Sequence, residues 1–191
     1  MSDTRIFGFA LLFVASLCNA AAPKLIAGVF DPPRQAPEFD LDGSDGSKLS
    51  LADHRGKIVI LGFGFTSCPD VCPTTLAVLA QARKKLGADA KHLQVIYITV
   101  DPQTDNAAQM RKYLATFDKT FIGGTGTESQ LNAVRKEYGI IAEKKTYGSN
   151  YTYAHSSYTY LIDGEGKLRA LMPYGHKADD YVHDVKALLA E

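Results

Sequence analysis

The feature that most constrains this chain is the apolar run over residues 57–65, KIVILGFGF, which leads straight into the loop Thr66-Ser67-Cys68-Pro69-Asp70-Val71-Cys72-Pro73. An apolar run without alternation marks a strand buried on both faces, and such strands belong to sheets covered by helices on each side. Residues 93–100, LQVIYITV, repeat the pattern. Between the two runs the spacing predicts a helix over 73–86. Pro73 suits a first helical position, and Leu76, Leu79, the stem of Arg83 and Leu86 recur at helical intervals.

The rest of the chain extends this α/β alternation. Asp105 is expected to cap a helix over 106–117 with Met110, Tyr113, Leu114 and Phe117 as its apolar stripe. A short strand follows near Phe121. Thr125 with Glu128, or Thr127 with Gln130, offers a capping box for a helix to Tyr138, which Gly139 ends. Residues 151–162 alternate as one strand, 163–166 turn, and 167–173 return as its partner. Asp179 and Asp180 open a last helix to about residue 190. Ahead of the first buried run, residues 39–49 form a small hairpin. Residues 23–37, with four prolines and no hydrophobic period, read as a linker. Parallel central strands, a closing antiparallel hairpin and a terminal helix make the thioredoxin-like fold, here over 38–191 with an N-terminal hairpin extension.

Residues 1–22 read as a targeting segment: Arg5, an apolar run over 6–17, then small residues up to Ala22. Cleavage after Ala20 makes it a secretory signal. Retention makes residues 6–22 a membrane anchor, at the short edge of the roughly 20 residues a bilayer needs. Leu17 before Cys18 is too large for a lipoprotein signal. Either way the domain is expected outside the cytoplasm. With 21 basic and 21 acidic side chains the formal charge is zero, which gives no electrostatic argument for nucleic acid or anionic lipid.

With Cys18 in the leader, Cys68 and Cys72 are the only cysteines of the domain. They lie where a buried strand hands over to a helix, the end of an α/β sheet at which chemistry collects. The positive helix terminus is expected to favour thiolate. Their Cys-x-x-x-Cys spacing is one residue longer than the redox Cys-x-x-Cys, so the loop can close a disulfide or spread two thiolates around a metal. Two thiolates are an incomplete metal site, and His155, 83 residues after Cys72, is the candidate third ligand. Spacing alone does not separate that role from an ordinary surface histidine. Asp70 reads equally as a tuning group or a solvated turn residue. His54, His92, His176 and His183 show no ligand-like grouping.

Four segments carry a resemblance: GKIVILGFGFTSCPDVCPTTL at 56–76, YITVDPQTD at 97–105, FIGGTGT at 121–127 and HSSYTYLIDGEGKL at 155–168. Over roughly residues 36–190 the chain resembles the Sco/SenC copper proteins, which help assemble cytochrome c oxidase. The resemblance implies copper, as Cu(I) or Cu(II), on Cys68, Cys72 and His155. It further implies a copper-receiving oxidase subunit as partner, and a periplasmic domain, soluble or tethered to the inner membrane. Two positions depart from the family. Ala154 stands where an acidic residue often precedes the histidine, and a carboxylate there would orient the imidazole. Thr104 stands where Arg is frequent. Asp101 and Asp105 remain in the segment around Thr104, which either faces a partner or supplies a turn residue and a helix cap. The rival function is a thiol–disulfide oxidoreductase using Cys68 and Cys72 to keep a partner's copper-site cysteines reduced. A peroxidase of the same fold would set an Arg beside its thiolate, and none occurs within ten residues after Cys68.

Overall fold

A computed structural model describes residues 24–191. The leader, Cys18 included, lies outside the described residues, and among these no helix is long and apolar enough to cross a membrane. The two apolar runs form strands β4 (Ile58–Gly64) and β5 (Leu93–Thr99), buried along their whole length and paired in parallel. The connecting helix α1 spans Val71–Leu86. Strand β6 (Ile122–Thr125) extends the parallel set beside β5. On the other side of β4 lie β9 (Tyr158–Ile162), antiparallel to β4, and β10 (Lys167–Pro173), antiparallel to β9. The expected hairpin, β2 (Asp40–Gly43) with β3 (Lys48–Ser50), is added to β6.

Three further helices complete the fold: α2 (Ala107–Leu114), α3 (Glu128–Tyr138) and α4 (Ala178–Leu189). Helix α4 packs against α1, and α2 against β6. The second contact depends on Gly123, where a Cβ would come within 2.9 Å of Met110. Ile60, Leu61, Ile96, Ile98 and Leu161 of the sheet meet Leu76 and Leu79 of α1, Met110 and Leu114 of α2 and Leu131 of α3 in one core, all fully buried.

Three expectations are corrected. Residues 23–37 are not a linker throughout: β1 (Gly28–Gln35) is the edge strand of the sheet, antiparallel to β10. Ahead of it Leu25 and Ala27 are buried, and the Asp184 carboxylate accepts the backbone N–H groups of Ile26 and Ala27 at 2.8 and 2.9 Å. An edge strand needs hydrogen bonds along one side only and so tolerates Pro32 and Pro33. Next, residues 151–162 are two strands. The chain leaves the main sheet at Ser156, and β8 (Asn150–His155) pairs instead with β7 (Ala142–Tyr147) in a separate two-stranded sheet. Finally, Asn106 rather than Asp105 caps α2, its side chain accepting the Gln109 N–H at 2.9 Å. The capping box of α3 is Thr127 with Gln130, since Thr125 belongs to β6.

Candidate metal centre

The loop between β4 and α1 is fastened from below by Asp105. Its carboxylate accepts the Thr66 N–H at 2.9 Å, the Thr66 hydroxyl at 2.5 Å and the Thr99 hydroxyl of β5 at 2.7 Å. Burial raises its pKa above the ordinary carboxyl value, and the hydrogen bonds from Thr66 and Thr99 work against that rise. Asp105 therefore positions the cysteine loop. Beyond Thr66, the Cys68 N–H donates to the Phe65 carbonyl at 3.3 Å, which bends the chain so that the Cys68 sulfur faces the start of α1.

Helix α1 begins at Val71, so Cys72 lies inside its first turn instead of just before it. The Cys72 N–H points at the Cys68 sulfur, 3.5 Å away. The helix terminus thus presents its amide to Cys68, not to Cys72. Cys68 is half-buried at the surface and Cys72 is 1% exposed; both are free thiols. Burial, with Cys68 adding to it, pushes the Cys72 thiol up to about 12, against opposing hydrogen bonds from Tyr97 and the Phe65 backbone. The expected thiolate is not met at Cys72, where burial favours the protonated thiol.

Tyr97 escaped the sequence reading. It sits on β5 opposite Gly62 of β4, and its ring crosses the space left by two missing side chains. A Cβ on Gly64 would lie 2.0 Å from the Tyr97 hydroxyl and 2.8 Å from the Cys72 sulfur. The two polar atoms face each other across the gap a methyl group would fill. The only trace in sequence is the Gly-x-Gly of β4. Gly64→Ala is expected to overpack this spot and lower stability by about 1–3 kcal/mol, read from denaturant unfolding. An unchanged midpoint would show that the gap is slack.

His155 arrives from the far end of β8. Its Nε2 lies 3.4 Å from the Cys72 sulfur, and the ligand atoms of Cys68, Cys72 and His155 all fall within 4.8 Å of one another. The opposite ring nitrogen, Nδ1, lies 2.8 Å from the Ser156 carbonyl oxygen. That oxygen can only accept, so the proton is on Nδ1 and the Nε2 lone pair faces the sulfurs. The backbone carbonyl of Ser156 thereby does the orienting that Ala154 cannot. Burial lowers the His155 pKa and favours the neutral, ligating imidazole, with the Ser156 hydrogen bond opposing it. Phe65 packs edge-on against the ring, its centroid 5.9 Å away.

The remaining candidates stay apart from this cluster. Asp70 is exposed just before α1 and makes no side-chain cap hydrogen bond. His176 pairs with Asp180 and His183 with Asp184, at 3.0 and 2.9 Å. Among the described residues, Cys68, Cys72 and His155 form the only group of three or more histidine, cysteine or acidic side chains spaced to hold a metal ion. Two sulfurs and one imidazole nitrogen suit a soft or borderline ion: copper(I) by the sulfurs, copper(II) once nitrogen is added.

Known proteins share the fold and much of the sequence. The SCO1/SenC family profile matches residues 30–190. The SCO2-like protein of Rickettsia felis is 34% identical over 133 residues, a stretch covering 68% of this chain and 65% of that protein. The crystal structure of Arabidopsis thaliana ScoI, solved with copper bound, superposes with a TM-score of 0.76 at 30% identity, covering 82% of this chain and 99% of the other. The solution structure of apo Sco1 from Thermus thermophilus gives 0.79 at 31% identity, with 88% and 99% covered.

Proposed function

We propose that this chain, which belongs to the SCO1/SenC family, binds copper through Cys68, Cys72 and His155 and passes it to a copper-receiving subunit of cytochrome c oxidase. The observation that carries the reading is the imidazole Nε2, 3.4 Å from a buried sulfur and brought there from 83 residues away. A redox dithiol does not need a ligand supplied from so far along the chain. Both sulfurs with the nitrogen accommodate either copper oxidation state. Half-exposed Cys68 is the ligand an incoming thiolate reaches first, so transfer by ligand exchange begins there and ends at Cys72. The leader-like residues 1–22 support a domain outside the cytoplasm, soluble or membrane-tethered.

The direct test is metal titration of the reduced protein. The expected result is one copper per chain, with a thiolate-to-copper charge-transfer band for copper(II). A protein that retains no copper overturns the reading.

Binding should also depend on pH in a definite sense. Cys72 keeps its proton up to about pH 12 in the metal-free protein, and copper must displace it. Affinity for copper(I) is therefore expected to rise at least about tenfold per pH unit, any proton displaced from Cys68 adding to the one from Cys72, and to fall as pH is lowered. Competition with a colorimetric chelator between about pH 6 and 8 measures the slope. A flat profile would mean that copper displaces no thiol proton, which excludes Cys72 as a ligand.

A second reading rests on the same pair. Two free sulfurs this close can close a disulfide, giving two electrons and two protons to a partner's disulfide, which emerges as a dithiol. A domain that never retains copper but reduces partner disulfides would be this oxidoreductase.

A further inference from the structure

Strands β7 and β8 pair with each other and with no other strand, so β8 is not held at its place by the main sheet. What fixes it is one face of β8. Tyr151, Tyr153 and His155 alternate with Asn150, Thr152 and Ala154 and so share a side. Tyr153 packs edge-on against Phe65 at 5.7 Å between centroids, and Phe65 in turn meets His155 at 5.9 Å. Tyr151 meets Tyr153 at 6.0 Å. An unbroken row of rings thus runs from Tyr151 to the candidate ligand.

At the outer end of the row Tyr151 is polar-bonded to the loop after β5. Its hydroxyl donates to the Asp101 carboxylate, 3.0 Å from Oδ2 and 3.3 Å from Oδ1. With its proton committed there, it accepts from the Thr104 hydroxyl at 2.8 Å. Asp101 is 1% exposed, so water competes less for the bond to its carboxylate than for the exposed bond to Thr104. Lys144 of β7 closes the arrangement, 3.7 Å from the centre of the Tyr151 ring and 2.8 Å from the Gln103 Oε1 it donates to. Thr104 and Asp101 are therefore both engaged by the strand that carries His155.

We propose that Tyr151 is a positioning residue for the metal centre: bonded to Asp101 and Thr104, its hydroxyl latches β8 so that His155 stays over the two sulfurs. The proposal rests on the copper reading above. With the latch closed the site has three ligands; with it open it keeps the two sulfurs, which suffice for copper(I) but not for copper(II). The ring row predicts a selective effect, since the Tyr151 hydroxyl bonds to Asp101 and Thr104 whereas the cysteine loop is bonded through Thr66 to the Asp105 carboxylate.

Tyr151→Phe removes the hydroxyl and keeps the ring. It is expected to lower copper(II) affinity about tenfold, the worth of one hydrogen bond to a charged group, and to change copper(I) affinity less than about twofold. In a His155→Ala background the same change is expected to do nothing to copper(II), because Tyr151 acts through that ring. In the metal-free protein, nuclear Overhauser contacts between the His155 and Phe65 rings should weaken in Tyr151→Phe. Unchanged copper(II) affinity with unchanged ring contacts overturns the latch, as does an equal loss of copper(II) affinity in the His155→Ala background. Should the unaltered protein bind no copper, the copper reading fails, and the ring contacts decide the latch by themselves.

Discussion

Replacing either Cys68 or Cys72 with Ser is expected to abolish stoichiometric copper binding, lowering copper(I) affinity on the order of 10³-fold, about 4 kcal/mol. A serine oxygen is hard, neutral at any accessible pH and a poor match for a soft ion. One remaining sulfur with one imidazole does not replace the pair. The fold should survive both changes. Cys68 is half-buried in a loop whose fastening runs through Thr66 and Asp105, and a hydroxyl at position 72 would still face the hydroxyl of Tyr97. Thermal unfolding of the two variants controls for this. Chelator competition under reducing conditions then reads affinity. A Ser variant that folds and still carries one copper per chain would remove that sulfur from the site, and with it the reason for a Cys-x-x-x-Cys loop at this sheet end.

The parts of the molecule that were legible in sequence are those whose cause is local. Strands β4 and β5 are buried on both faces, so nearly every residue in each is apolar, and α1 between them carries its own helical period. The cysteine pair is legible because loop, strand end and helix start are contiguous. The parts that escaped depend on partners far along the chain. Strand β7 reads AEKKTY and is mostly exposed, so no burial imposes a pattern on it. Without β7, β8 could not be told from a simple extension of β9. Edge strand β1 contains prolines that a linker would also contain. Asp105 precedes a helix and looks like a cap, but its carboxylate turns inward to Thr66 and Thr99, which are adjacent only once β4 and β5 pair. The Cys72 thiol illustrates the same limit in energy. Helix position argues for thiolate and is visible in sequence, whereas desolvation by the assembled core argues for thiol and is visible only in the fold. His155 could be singled out through the resemblance and not through spacing. Nothing in residues 150–158 announces that the Ser156 carbonyl will turn the ring toward sulfurs 83 residues away.

His155→Ala is expected to separate the two oxidation states. Copper(I) is satisfied by two sulfurs, so its affinity should fall less than about tenfold, the imidazole being a third and dispensable donor. Copper(II) needs the nitrogen. Loss of an outer group that merely orients a ligand costs 10- to 100-fold, so loss of the ligand itself should cost at least about 100-fold, close to 3 kcal/mol. The charge-transfer band should vanish or shift with it. Because burial holds the ring neutral, against the opposing pull of the Ser156 hydrogen bond, and Nδ1 carries the ring proton, Nε2 is available without a proton to displace. The His155 contribution should therefore depend little on pH near neutrality, while the Cys72 contribution climbs. His176→Ala, whose ring is engaged with Asp180, is the matched control and should change neither state. Equal losses for copper(I) and copper(II) in His155→Ala would mean the imidazole shapes the loop without ligating. Unchanged copper(II) affinity would leave a pair of thiols with a neighbouring histidine and no metal centre built from the three.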